Sequence, residues 1–75
     1  MIFEQVQAIV AEKLSLDVDK VKLDSNLQED FGADSLDAVE IIMSVEDAFD
    51  IEVGDDILMN IKTVKDIVDF IEKVK

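Results

Sequence analysis

A chain of 75 residues without cysteine has room for one small domain, residues 1–75, whose thin core has no disulfide or thiolate metal site to support it. Its 19 carboxylates against 7 lysines, with no arginine and no histidine, give a net charge of −12 and argue against nucleic acid or an anionic membrane as a partner. No apolar run approaches the roughly 18 residues of a membrane span, and MIFEQVQAIVAEK lacks the basic leader and continuous apolar core of a signal peptide.

The charge is unevenly placed. Residues 23–61 contain 12 acids and no lysine, while the rest of the chain has 7 acids and 7 lysines and balances. The whole net charge therefore comes from the middle of the chain. Two readings stand side by side. Acid can simply keep a small domain soluble, or it can steer the chain onto a basic protein surface.

Taken in order, residues 2–14 read as a helix, with Ile2, Val6, Ile9, Val10 and Leu14 at helical spacing and Glu4, Gln5, Glu12 and Lys13 off that stripe. From Ser15 to Ala33 there is no helical period. The alternation of Leu14, Leu16 and Val18 with Val21 and Leu23 permits a hairpin, but Asp19-Lys20 is a poor two-residue turn. A long loop is preferred, pinned by Leu16, Val18, Val21, Leu23, Leu27 and Phe31. A second helix is expected from about Asp34 to Asp50, with Asp34 as N-cap and Asp37 closing a capping box. DIEVGDD breaks it at Gly54, and DDILMN suffices for a turn or two. The last helix starts at Thr63, with Asp66 completing a Thr-x-x-Asp box and Val64, Ile67, Val68 and Ile71 as its buried stripe. The expected fold is all-α, a small bundle of three main helices and one short one.

The second helix has two apolar faces. Ala38, Ile41, Ile42, Val45, Ala48 and Phe49 form a core stripe at about 100° per residue. Leu36, Val39 and Met43 gather roughly opposite, among Glu40, Glu46 and Asp47. Scattered surface apolar residues are ordinary, but an apolar strip with a charged rim is also how an interface is built. Beside this strip stands Ser35, in DFGADSLDAVEIIM. A nucleophilic serine needs a base and an oxyanion hole. The chain has no histidine, residues 24–60 hold no lysine, and GADSL lacks the second glycine of a G-x-S-x-G elbow. A calcium loop starting at Asp24 fails as well: Glu29 takes the glycine position and Ser35 the glutamate position. Paired-carboxylate hydrolysis has little room for a substrate cleft in so small a bundle. Ser35 reads as a residue that another enzyme modifies, at a helix start whose free N–H groups and positive dipole end favour an attached phosphate.

At these residues the sequence resembles the acyl carrier proteins of type II (dissociated) fatty acid synthesis. GADSLD is similar to that family's prosthetic-group motif, and the likeness runs from the helical N-terminus through NLQEDFGADSLDAVEIIMSVEDAFDIEV to MNIKTVKDIVDFI. The resemblance implies a non-enzymatic carrier holding growing fatty acyl chains as thioesters on 4′-phosphopantetheine, joined to Ser35 by a phosphodiester and transferred from coenzyme A. No metal belongs to the carrier itself. Asp34, Leu36, Asp37, Val39, Glu40, Met43, Glu46 and Asp47 match the family's recognition positions for basic patches on partner enzymes. Those partners would be the holo-carrier synthase, malonyl transacylase, ketosynthases, reductases, dehydratase and acyltransferases. Leu27, Ile41, Val45, Phe49, Val53, Leu58, Ile61, Ile67 and Ile71 match the acyl-pocket positions, which equally suit an ordinary core. A cytoplasmic monomer is implied. Gly54 stands where many relatives have proline or a small polar residue, Leu58 and Ile67 are bulkier than the alanines often found there, and DDILMN is unusually apolar. These departures bear on the size and lining of the pocket, not on the carrier role.

Overall fold

The computed structural model describes residues 2–74. In chain order it contains α1 (Ile2–Leu14), a 3-10 turn (Val18–Lys20), α2 (Ser35–Phe49), α3 (Asp55–Asn60) and α4 (Val64–Val74). There is no strand among the described residues, only an isolated antiparallel bridge between Asn26 and Thr63.

α1 packs against both α2 and α4. Its Val6, Val10 and Ala11 join Ile41, Ile42, Val45 and Phe49 of α2 and Val64, Ile67, Val68 and Ile71 of α4 in one buried cluster. Each valine, isoleucine or phenylalanine among them taken fully out of water contributes about 1.5–3 kcal/mol. The expected stripe of α2 is corrected at one position. Ala48 is exposed: it lies at the edge of the stripe, and a methyl is too short to reach inward from there.

Side chains and backbone close the helix ends. Asp34 Oδ1 accepts the Asp37 N–H at 3.0 Å, and Asp37 Oδ2 accepts the Asp34 N–H at 3.3 Å, a full capping box at the start of α2. At its other end Asp50 turns left-handed (φ 55°), which aspartate tolerates better than most residues. α4 opens on the same device, Asp66 N–H to Thr63 Oγ1 at 3.2 Å and Thr63 N–H to Asp66 Oδ2 at 3.1 Å. Burial alone would raise the Asp66 pKa. The N–H groups of Lys62 and Thr63, the Thr63 hydroxyl and the Lys62 charge outweigh it and hold the carboxyl below its ordinary value.

The long loop is pinned and forms no hairpin, but two of its six expected pins are wrong. Val21 and Leu27 are buried and Leu16 and Phe31 half-buried, whereas Val18 and Leu23 are 46% and 43% exposed. Backbone bonds decide this. Gln7 Nε2 donates to the carbonyls of Val18 (2.9 Å) and Val21 (2.8 Å), which rolls the 3-10 turn so that Val21 points inward. Further on, Leu27 N–H donates to Lys62 O, Val64 N–H to Ser25 O and Lys65 N–H to Leu23 O, stitching the loop to the start of α4. Asn26 Oδ1 accepts the N–H groups of Gln28 and Glu29, and Gly32 takes φ 69°, a left-handed turn that delivers the chain to α2.

Candidate functional site

Ser35 is the first residue of α2 and is exposed. The Asp34–Asp37 box fixes the direction of the first turn around it. The Gly32 turn and the Ala33 N–H bond to Leu27 O (2.9 Å) bring the loop to that point. The helix start presents backbone N–H groups with no partner inside the helix, together with the positive end of the macrodipole.

A cavity of about 300 Å³ opens at Ser35 between α2 and α3, lined also by Gln28, Ala38, Val39, Leu58, Met59 and Ile61. Of the expected acyl-pocket residues, Leu58 and Ile61 stand at this cavity. Leu27, Ile41, Val45, Phe49, Ile67 and Ile71 are buried in the main core, and Val53 packs half-buried against it. Gln28, Ala38 and Met59 were not on the expected list. The signal for Met59 was the apolar character of DDILMN; Gln28 falls in the aperiodic loop, where no pattern could flag it. A larger groove of about 390 Å³ lies between the first turn of α1, Leu23 and α4, and shares no residue with the Ser35 cavity.

The expected recognition residues lie along α2. Leu36 and Met43 are 73% and 57% exposed, and Val39 is half-buried at the cavity rim. Asp34, Glu40 and Asp47 are exposed, and Asp37 and Glu46 half-buried. Met59 on α3, 81% exposed, adds a further apolar group beside Ser35. Lys13 of α1 shares a shallow pocket with Glu40, Met43 and Asp47 on the flank of this acidic face. Among the described residues no lysine lines the Ser35 cavity. No cluster of three acids suited to a metal ion occurs among the described residues.

These features fit a phosphopantetheine arm. The Ser35 hydroxyl is accessible, the helix start suits a phosphate, and an apolar-lined opening lies beside it. Similarity to known proteins agrees. Residues 4–71 match the family described as "Phosphopantetheine attachment site". An acyl carrier protein from Enterococcus faecalis, noted for high thermal stability, is similar in structure with a TM-score of 0.83 and 28% identity, covering 99% of this chain and 94% of that one. The chain belongs to the phosphopantetheine attachment-site family and has the acyl-carrier-protein fold: it is a carrier of phosphopantetheine-bound cargo and not an enzyme.

Proposed function

We propose that this protein carries growing fatty acyl chains in type II fatty acid synthesis, with Ser35 as the attachment point. The observation that carries this reading is an exposed serine at the start of α2, beside an apolar cavity, inside a family match that spans nearly the whole chain. Ser35 has no base of its own, so the transferase must take its proton. The Ser35 oxygen then bonds to the phosphorus of the phosphopantetheine half of coenzyme A, and adenosine 3′,5′-bisphosphate leaves. The bound group supplies the thiol on which an acyl chain is held as a thioester.

Leu58 and Ile61, with Val39 and Met59, form the entrance for the chain, and Leu27, Ile41, Val45, Phe49, Val53, Ile67 and Ile71 the core into which a longer one extends. Leu36, Val39, Glu40, Met43 and Asp47 form the docking face, with Asp34 and Asp37 adding negative charge beside it; Glu46 lies at its border with its carboxylate engaged by the Val53 N–H. Its partners are basic patches on the holo-carrier synthase, malonyl transacylase, ketosynthases, reductases, dehydratase and acyltransferases, reached by electrostatic steering. Among the described residues no helix is long and apolar enough to cross a membrane. The fatty acid synthesis role proposed here places the chain in the cytoplasm as a monomeric domain.

The test is the intact mass after incubation with coenzyme A, magnesium and a phosphopantetheinyl transferase, with Ser35→Ala alongside. The expected result is a gain of one phosphopantetheine in the wild type only. No gain in folded, unmodified protein would leave an acidic docking module as the better account.

A further inference from the structure

The wall of the Ser35 cavity formed by α3 is lightly anchored: Leu58 packs half-buried against the core. None of the residues of α3 is buried, and its N-cap, Gly54, has no side chain to cap it. What fixes the start of α3 is the crossover from α2, and one residue ties that crossover at both ends. The Glu46 carbonyl accepts the N–H groups of Asp50 and Ile51, the latter at 3.1 Å, and closes the end of α2. The Glu46 carboxylate reaches across the crossover, where Oε2 accepts the Val53 N–H at 2.8 Å in a partly buried setting. Val53 directly precedes Gly54, whose carbonyl accepts the Leu58 N–H at 2.9 Å. Glu46 can do this because it borders the core stripe of α2, next to Ile42 on the wheel, and does not lie squarely opposite with Glu40 and Asp47.

We propose that Glu46 is a positioning residue. It acts by holding the α2–α3 crossover, and so the Leu58 wall of the cavity, and not as a free docking charge. A carboxylate accepting an N–H at this distance is a charge-assisted bond, stronger than a neutral one. The cavity's role as a cargo entrance rests on the function proposed above. The tether does not, because it can be tested in unmodified protein with no partner present.

Two conservative variants separate reach from charge. Glu46→Gln keeps an acceptor oxygen at the same reach and loses the charge. Glu46→Asp keeps the charge and withdraws the carboxylate by one methylene. Amide hydrogen exchange is measured for Val53 and Leu58 in the wild type, in both variants and in Glu46→Ala. A tether predicts exchange faster by about tenfold in the Asp and Ala variants and within about threefold of wild type in Gln. Unchanged exchange in all three variants, or Gln as fast as Ala, overturns the proposal. Affinity for a phosphopantetheinyl transferase gives the second readout. A positioning role predicts that Glu46→Gln weakens docking no more than Asp47→Asn does. If Glu46→Asp docks as wild type while Gln and Ala both lose more affinity than Asp47→Asn, Glu46 is a docking charge. Failure of Ser35 to accept the prosthetic group would remove the carrier reading and leave the exchange result standing.

Discussion

α2 and α4 begin alike and end differently. Each opens on a reciprocal capping box, Asp34 with Asp37 and Thr63 with Asp66. α4 then follows the rules of a stable surface helix. Val64, Ile67, Val68 and Ile71 are buried, both signs of charge occupy the outer face, and Lys73 sits in the last turn where a cation suits the dipole. α2 buries an equally good stripe, but outside it lie Leu36 and Met43, well exposed, and carboxylates that continue to Asp47 with no cation in the last turn. Acids at a helix C-terminus and exposed methionine and leucine work against stability and solubility. Their presence on one of two otherwise similar helices is what supports the proposal that α2 serves a partner.

The largest effect that could break this contrast is in the cores. Ile71→Ala should cost about 2–5 kcal/mol in a denaturant titration, and Met43→Ala should stay within about 0.5 kcal/mol. A large loss for Met43→Ala would make it a packing residue. Next come the charges. Asp47→Lys in α2 should weaken association with a phosphopantetheinyl transferase by roughly tenfold and flatten its salt dependence, while Asp69→Lys in α4 leaves both nearly unchanged. Equal effects of the two reversals would mean that net charge, and not the α2 face, directs docking.

Smaller is the cap of α4. Asp66→Asn should destabilise by about 1 kcal/mol at neutral pH. The sign follows from its lowered pKa: the folded state binds this proton less readily than the unfolded chain. Its stabilisation is therefore present above the unfolded pKa of about 4 and disappears as pH falls through the lower folded value. The variant should show a shallower loss of stability in that acid range; an unchanged slope removes Asp66 from the account. Smallest is the dipole. Asp47→Asn should raise the melting temperature by about 1–2 °C. Sodium chloride and magnesium should raise that of the wild type in a graded way. A saturating, stoichiometric magnesium isotherm would reveal a defined metal site where no three-acid cluster occurs among the described residues.

The helices and the family were legible in the sequence because their signals are local. Stripe and cap residues sit within a turn or two of one another, and GADSLD is a contiguous motif whose family the match over residues 4–71 bears out. The loop was less legible. Val18 and Val21 look alike in sequence, and what buries one and exposes the other is a pair of hydrogen bonds from Gln7, more than ten residues away. Ala48 failed because the wheel assigns direction and not reach. The bond from the Val53 N–H to Glu46 at 2.8 Å was not legible either, since a wheel cannot see that the chain folds back over the end of α2.

The stitching of the loop to the start of α4 has one further consequence. Leu23, Ser25 and Leu27 pair with Lys65, Val64 and Lys62, and these bonds fall at the borders of the lysine-free acidic stretch, residues 23–61. The backbone thus leaves the α1–α4 frame and returns to it at adjacent points. Everything between them carries the net charge, the serine and the cavity. A segment whose two ends are held side by side is the kind that can be transplanted as a unit. So long as Ile41, Ile42, Val45 and Phe49 still meet the frame, the acidic face and the Ser35 cavity can be exchanged together, while the remainder of the chain, with 7 acids and 7 lysines, stays as the mount.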